Sequence, residues 1–300
     1  MDRKEINSEL AALVTNKTFA IYDFEFIKAL KRMPWGQWFD QEKTFRIRPK
    51  YLEEINNWIH SSQLNTVKGL ERFTARDLIN GTTQTFDESY QRYAQKRLRF
   101  FRGEYAYHRR TFANWKFVED GDLEKNDFVV ISNPFCSTGA THPRYNELLE
   151  VCDRLEIPVL VDCAYFGTCT GIQIDVSAKC IESVSFSLSK GIGLGDIRSG
   201  IRYSDFDDFF PISHQNKYEH TVLAAAKIGL YMMGEFSPDF IPLKYREAQL
   251  SICSDLNIEP SPCMHLATSK DDFWQAYNID ERYFRLGIRD LVKQRRYNRN

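Results

Sequence analysis

The letters with the most chemical content lie at residues 184–200, VSFSLSKGIGLGDIRSG. An apolar-and-small run ends in Ser-Leu-Ser-Lys190, and the backbone then loosens at Gly191, Gly193 and Gly195 before Arg198 and Gly200. A strand that stops at a lysine, with an arginine eight residues on, suits an amine that must meet a phosphorylated ligand. The lysine supplies a nucleophilic nitrogen and the arginine a planar fork for phosphate oxygens. A surface turn with a solvated lysine has the same letters, so the upstream residues decide.

Those residues must be delivered by elements, and from Asp77 the elements are regular. Residues 77–79 read as a short strand leading into Asn80-Gly81-Thr82-Thr83, then a helix to about Lys96. Glycine followed by hydroxyl residues at a helix start leaves unpaired N–H groups, an anion site or a plain N-cap. Residues 98–101 form a second strand, delivering Tyr105, Tyr107 and His108; residues 115–118 form a third. The apolar run 128–131 has the pattern of a strand buried on both faces and ends in Asn133-Pro-Phe-Cys136-Ser-Thr-Gly139. Thr141 is placed to cap the next helix, in which Tyr145, Leu148, Cys152 and Leu155 share a face. Residues 157–161 then deliver Asp162-Cys-Ala-Tyr165, and residues 183–187 close the series at Ser187 and Lys190. Strands alternating with helices, each with polar residues at its carboxyl end, predict an α/β fold with a mostly parallel sheet. Ligands bind outside the carboxyl ends of such strands.

The flanks carry less information. Residues 5–14 suit an amphipathic helix, 18–22 a short strand and 51–59 a helix. Trp35, Trp38 and Phe39 cluster around a Pro-Trp-Gly turn, either as packing or in a segment lying over the site. Residues 217–233 and 243–256 suit two long helices, with probable strands at 259–267 and 283–288 in a small α+β domain. The expected organisation is an N-terminal segment at 1–70, a cofactor-binding large domain at 71–210, and helices with the small domain at 211–300. The basic tail, residues 293–299, reads as a solvated end.

Composition excludes several classes. Hydrophobic content of 43% and charged content of 27% are ordinary for a soluble globular chain. A formal net charge of -1 gives no reason to expect nucleic acid or an anionic membrane as partner. The 7 cysteines form no CxxC pair, which favours reduced thiols in cytoplasm over a disulfide framework. No metal-ligand spacing is present, so no metal is expected. The N-terminus has no uninterrupted apolar segment, so neither a signal peptide nor a membrane span is expected.

Four pieces in order resemble the class I/II aminotransferases, among the fold-type-I pyridoxal-phosphate (PLP) enzymes: Ser-Leu-Ser-Lys190 with Arg198, Asp162-Cys-Ala-Tyr165, Asn133 to Gly139, and the aromatic cluster before His108. The resemblance runs from about Asp77 to Tyr203 and, faintly, over 283–288. It implies a PLP-dependent aminotransferase acting on an α-amino acid and 2-oxo acid pair. Lys190 would hold the cofactor as a Schiff base and move the substrate proton. Asp162 would pair with the pyridine nitrogen, Tyr165 would hydrogen-bond the phenolic oxygen, His108 would bond Asp162, and Tyr105 would stack on the ring, with Tyr107 as its rival. Gly81, Thr82, Thr83, Ser187 and Arg198 would hold the phosphate, and Arg285 the substrate carboxylate, with Arg282 and Arg289 close in sequence. A homodimer is implied by the resemblance as well.

Two departures stand out. Cys136 occupies the place of the family asparagine that donates to the phenolic oxygen, leaving Asn133 or a water to compensate. The chain is also short for the family. The altered position keeps decarboxylation, elimination or oxidation open on the same cofactor. A non-catalytic protein of this fold is the remaining reading, disfavoured because a scaffold needs none of Lys190, Asp162 and Arg198.

Overall fold

The computed structural model describes residues 7–36, 47–206, 210–279 and 283–298. Its centre is a seven-stranded sheet, in spatial order Ala75–Ile79, Gly200–Ser204, Ile181–Ser187, Val159–Cys163, Asp127–Ser132, Arg97–Phe100 and Trp115–Phe117. Gly200–Ser204 pairs antiparallel with both neighbours, and the other four pairings of the sheet are parallel. The expectation of a mostly parallel sheet flanked by helices therefore holds.

The pleat explains why the central strands read as continuous apolar runs. Phe128, Val130 and Leu160 point into one cluster with Phe86, Leu98 and Phe100, while Val129, Ile131, Val159 and Val161 join the larger core on the other face. Alternate side chains serve opposite faces, and both faces are covered by helices. Helix Thr82–Arg92 covers the first face, through Phe86 and Tyr90; Tyr145–Leu155 covers the second, through Tyr145, Leu148, Leu149 and Cys152.

A second sheet, Glu259–Pro260, Leu266–Ser269 and Phe284–Gly287, is antiparallel. The N-terminal segment is tied to it: Thr15 N–H donates to Gly287 O at 3.0 Å, and Gly287 N–H returns to Thr15 O at 2.7 Å. The 259–267 expectation thus splits into two strands.

Other expectations also shift. The first helix is only Ser8–Ala11, capped by Asn7. Residues 18–22 form no strand and lead to Asp23, which caps helix Phe24–Arg32. The long helix expected at 217–233 is two, Pro211–Lys217 and Leu223–Glu235, and between them Glu219 has φ 56. A non-glycine residue in that left-handed region ends a helix. Thr141 caps nothing. Its hydroxyl donates to Asn133 Oδ1 at 3.0 Å, and the helix starts at Tyr145. Trp38, Phe39, Arg282 and Arg299 lie outside the described residues. Trp35 donates its indole N–H to Leu30 O at 3.0 Å.

Candidate active site

At the carboxyl ends of the parallel strands is a cavity of ≈ 270 Å³, lined by Thr82, Thr83, Tyr105, Cys136, Asp162, Tyr165, Ser187, Lys190 and Arg198 among the residues expected from sequence. Gly81 adjoins it, and Arg285 reaches it from the small sheet through Cys136. His108 and Asn133 do not line it.

The buried end is built around Asp162, the fourth residue of its strand. Its Oδ1 accepts from Ala164 N–H at 3.0 Å, and the Thr82 side chain bonds it as well. Burial pushes its carboxyl up to about 7, the negative charge of Glu104 adds to the rise, and those two hydrogen bonds with Lys190 oppose it. A buried carboxylate of this kind suits a cationic partner. Lys190 lies on the short turn of helix Leu188–Gly191, which Ser187 caps by accepting from Ser189 N–H at 3.1 Å. The Lys190 Nζ sits 4.8 Å from the centre of the Tyr165 ring and reaches Thr18 O at 3.5 Å. Burial lowers its pKa below that of an ordinary lysine, against the pull of nearby groups including Asp162. A larger neutral fraction is what a nucleophilic amine needs.

Tyr165 and Cys136 face each other, Oη to Sγ at 3.8 Å, and Tyr165 Oη donates to Cys136 O at 3.4 Å. Arg285 Nη1 donates to the same carbonyl at 3.3 Å and approaches Sγ at 3.6 Å. Burial pushes the thiol up to about 11, so it is a neutral SH.

The outer end is an anion cradle. Gly81 has φ 80 and is the N-cap of an 11-residue helix with no side-chain cap, leaving first-turn N–H groups to the cavity. A Cβ at Gly81 would fall 2.5 Å from Arg198 Nη2. Arg198 itself has φ 62, a conformation rare for arginine, and its Nη2 donates to Thr83 Oγ1 at 2.9 Å. A guanidinium, the Thr83 hydroxyl and an uncapped helix end at one place fit a phosphate.

One assignment moves. His108 directs Nδ1 to Tyr90 Oη at 2.7 Å, a partner other than the expected Asp162; burial drops its pKa to about 3, keeping it neutral. Tyr105 lines the cavity, whereas Tyr107 stacks behind it at 5.9 Å and 10° and bonds Asp87. Sequence reasoning missed Thr18, Phe19, Ala20, Tyr22, Ser189 and Asp196, which also line the cavity. Ser189 was legible one residue before the lysine. The 18–22 stretch was not, because its position over the site is set by pairing with the small sheet, 270 residues away in sequence.

This architecture matches the fold of the fold-type-I PLP-dependent enzymes. Residues 86–226 match the family model for aminotransferase class I and II. Among solved structures the chain is similar to an aromatic aminotransferase from Pyrococcus horikoshii OT3 (12% identity, TM-score 0.64, covering 97% of this chain and 96% of that one). It is also similar to a PLP-bound C-S lyase from Staphylococcus hominis (10%, 0.58, 83% and 80%). A third is an L-threonine-O-3-phosphate decarboxylase from Porphyromonas gingivalis (18%, 0.54, 86% and 95%). Comparison with curated proteins finds no match.

Proposed function

We propose that this chain is a PLP-dependent transferase, an aminotransferase that moves the amino group of an α-amino acid to a 2-oxo acid. The observation that carries the reading is the placement of Lys190 and Asp162 at the buried end of one cavity, with the uncapped helix at Gly81 and the Arg198 guanidinium at its outer end. The residues fit the cofactor at both of its charged ends. When bound, PLP supplies an aldehyde for amines and a ring that accepts the electron pair of a broken bond at the substrate α-carbon.

The chain's own residues do the rest. Arg198, Thr82, Thr83, Ser187 and the first-turn N–H groups hold the phosphate. Asp162, ionised, keeps a proton on the ring nitrogen; Tyr165 donates toward the phenolic oxygen, and Tyr105 supplies an aromatic face. The Lys190 amine, made less basic by burial, is both the attachment point and the proton carrier at the α-carbon. Arg285 offers a guanidinium to the substrate carboxylate. Residues 18–22 shield the lysine from water on the open side.

The neighbours' names span transamination, C–S bond cleavage and decarboxylation, so the cofactor's later steps need their own test. In purified, PLP-supplied protein, borohydride reduction should label Lys190. An amino-acid panel should then convert the bound cofactor to its amine form while releasing a 2-oxo acid. Product release without that conversion supports lyase or decarboxylase chemistry; failure to label Lys190 removes the reading altogether. The large and small domains, a homodimer and a cytoplasmic setting belong to the same proposal. The last is supported by seven free, buried cysteines. Among the described residues, no helix is long and apolar enough to cross a membrane.

A further inference from the structure

Glu104 is a carboxylate that the proposed chemistry does not use, yet it lies 8% exposed directly behind the cavity wall. Three donors clamp it. Ser132 N–H reaches Oε2 at 2.8 Å, Ser132 Oγ–H reaches Oε1 at 2.5 Å, and Tyr105 N–H reaches Oε1 at 2.9 Å. Ser132 Oγ in turn accepts from Cys136 N–H at 2.9 Å. Ser132 is also the register partner of Asp162 across the sheet. One buried carboxylate therefore joins the loop carrying Tyr105 to the loop carrying Cys136, at the strand pair that presents Asp162.

Resting on the PLP reading above, we infer that Glu104 is a positioning residue for the cofactor. It fixes Tyr105 and Cys136 at the wall of the cavity that would hold the ring and places a second carboxylate near Asp162. A purely structural acid at this place would be expensive, because a buried carboxylate loses its hydration. Three hydrogen bonds offset part of that cost, and a cationic ring over Asp162 would offset more. The charged and titratable groups facing the pair are Lys190, Arg285 and Cys136 on the cavity side, with Tyr105 and, from helix Thr82–Arg92, Tyr90. Glu104 opposes ionisation of Asp162. Removing its charge should let Asp162 ionise at lower pH.

The test is PLP affinity measured by fluorescence titration of the full chain from pH 5.5 to 8.5, alongside melting of the unliganded protein. Glu104→Gln leaves at least one of the three donors facing an amide NH₂. It should weaken PLP binding about tenfold at pH 8, as expected for one charge-assisted hydrogen bond. The midpoint of the pH dependence should also move down by about half a unit. Ser132→Ala keeps both charges and cuts the link to Cys136, so it should weaken binding with the midpoint unmoved. A Glu104→Gln protein that melts lower but binds PLP with wild-type affinity and midpoint overturns the inference. Should that variant not fold, wild-type affinity in Ser132→Ala overturns it instead. Wild-type protein that binds no PLP sinks the proposed function rather than this step.

Discussion

The two ends of the cavity recognise charge by opposite means. At the inner end Asp162, Glu104, Tyr165 and Cys136 are buried, and every one of them has its pKa raised, with burial the largest cause. At the outer end Arg198 is exposed and the work is done by geometry, an uncapped helix with the Thr83 hydroxyl and one guanidinium. Desolvation makes the inner groups sensitive to any single change of charge, because the dielectric there is low. Water screens the outer end, so its contributions are smaller and shared among several donors. The expected effects of substitution fall in that order.

Lys190→Ala should cost most. Losing both the attachment amine and the proton carrier should lower turnover by about 10³-fold or more, the scale of nucleophilic plus general acid–base help. The lysine-linked absorbance of the bound cofactor should vanish with it. Residual turnover within tenfold of wild type would dissolve the distinction between the two ends.

Asp162→Asn should come next, with turnover reduced by about 10²–10³-fold for loss of a preorganised charge at the ring nitrogen. It also makes a prediction free of cofactor. The folded-state carboxyl is raised to about 7, above its unfolded value. Between the two values the folded protein keeps a proton that the unfolded chain has lost, so wild-type stability falls as pH rises through that window. Asparagine has no such titration. The unliganded variant should therefore melt above wild type at pH 8, with the difference shrinking toward pH 5. Melting curves at the two pH values check this, and the reverse order would mean Asp162 is already satisfied as an anion.

Arg198→Lys tests the outer end. A lysine keeps the charge but loses the fork and its bond to Thr83, so PLP affinity should fall about tenfold in an equilibrium titration, with the pH profile unchanged. A shift in that profile would show that the outer end feels charge as the inner end does.

What the sequence disclosed follows the same division. Strands buried on both faces announce themselves as apolar runs, and the residue after each run is the one delivered to the site. Asp162, Tyr165, Ser187 and Lys190 were legible for that reason. The antiparallel strand Gly200–Ser204 was not, because Arg202, 1% exposed, sits in its middle. That arginine is neutralised by Asp77, at 2.6 Å, and by Glu88. No local pattern announces a buried ion pair whose partners are more than 100 residues away. Segment 18–22 has the letters of a strand yet forms none, for a related reason. Its apolar letters serve a cavity wall, and only the pairing of Thr15 with Gly287 shows where that wall stands.

The smallest expected effect belongs to the residue that departs most from the family pattern. Cys136 lies at the inner end, where a change of charge would be costly, but its thiol stays protonated to about pH 11 and carries none. Its contribution is the main-chain carbonyl, which takes the donors of Tyr165 and Arg285. Cys136→Ser keeps that carbonyl and nearly the same volume, and places a hydroxyl 29 residues along the chain from, but facing, the Tyr165 Oη. Turnover should stay within about threefold of wild type, since the neutral thiol is a weak hydrogen-bonding group and its loss removes little. A fall of 10²-fold in steady-state turnover, with PLP affinity kept, would instead make the thiol a participant. Burial would then have failed to silence it, and the rule that separates the two ends would have to be redrawn around reactivity instead of charge.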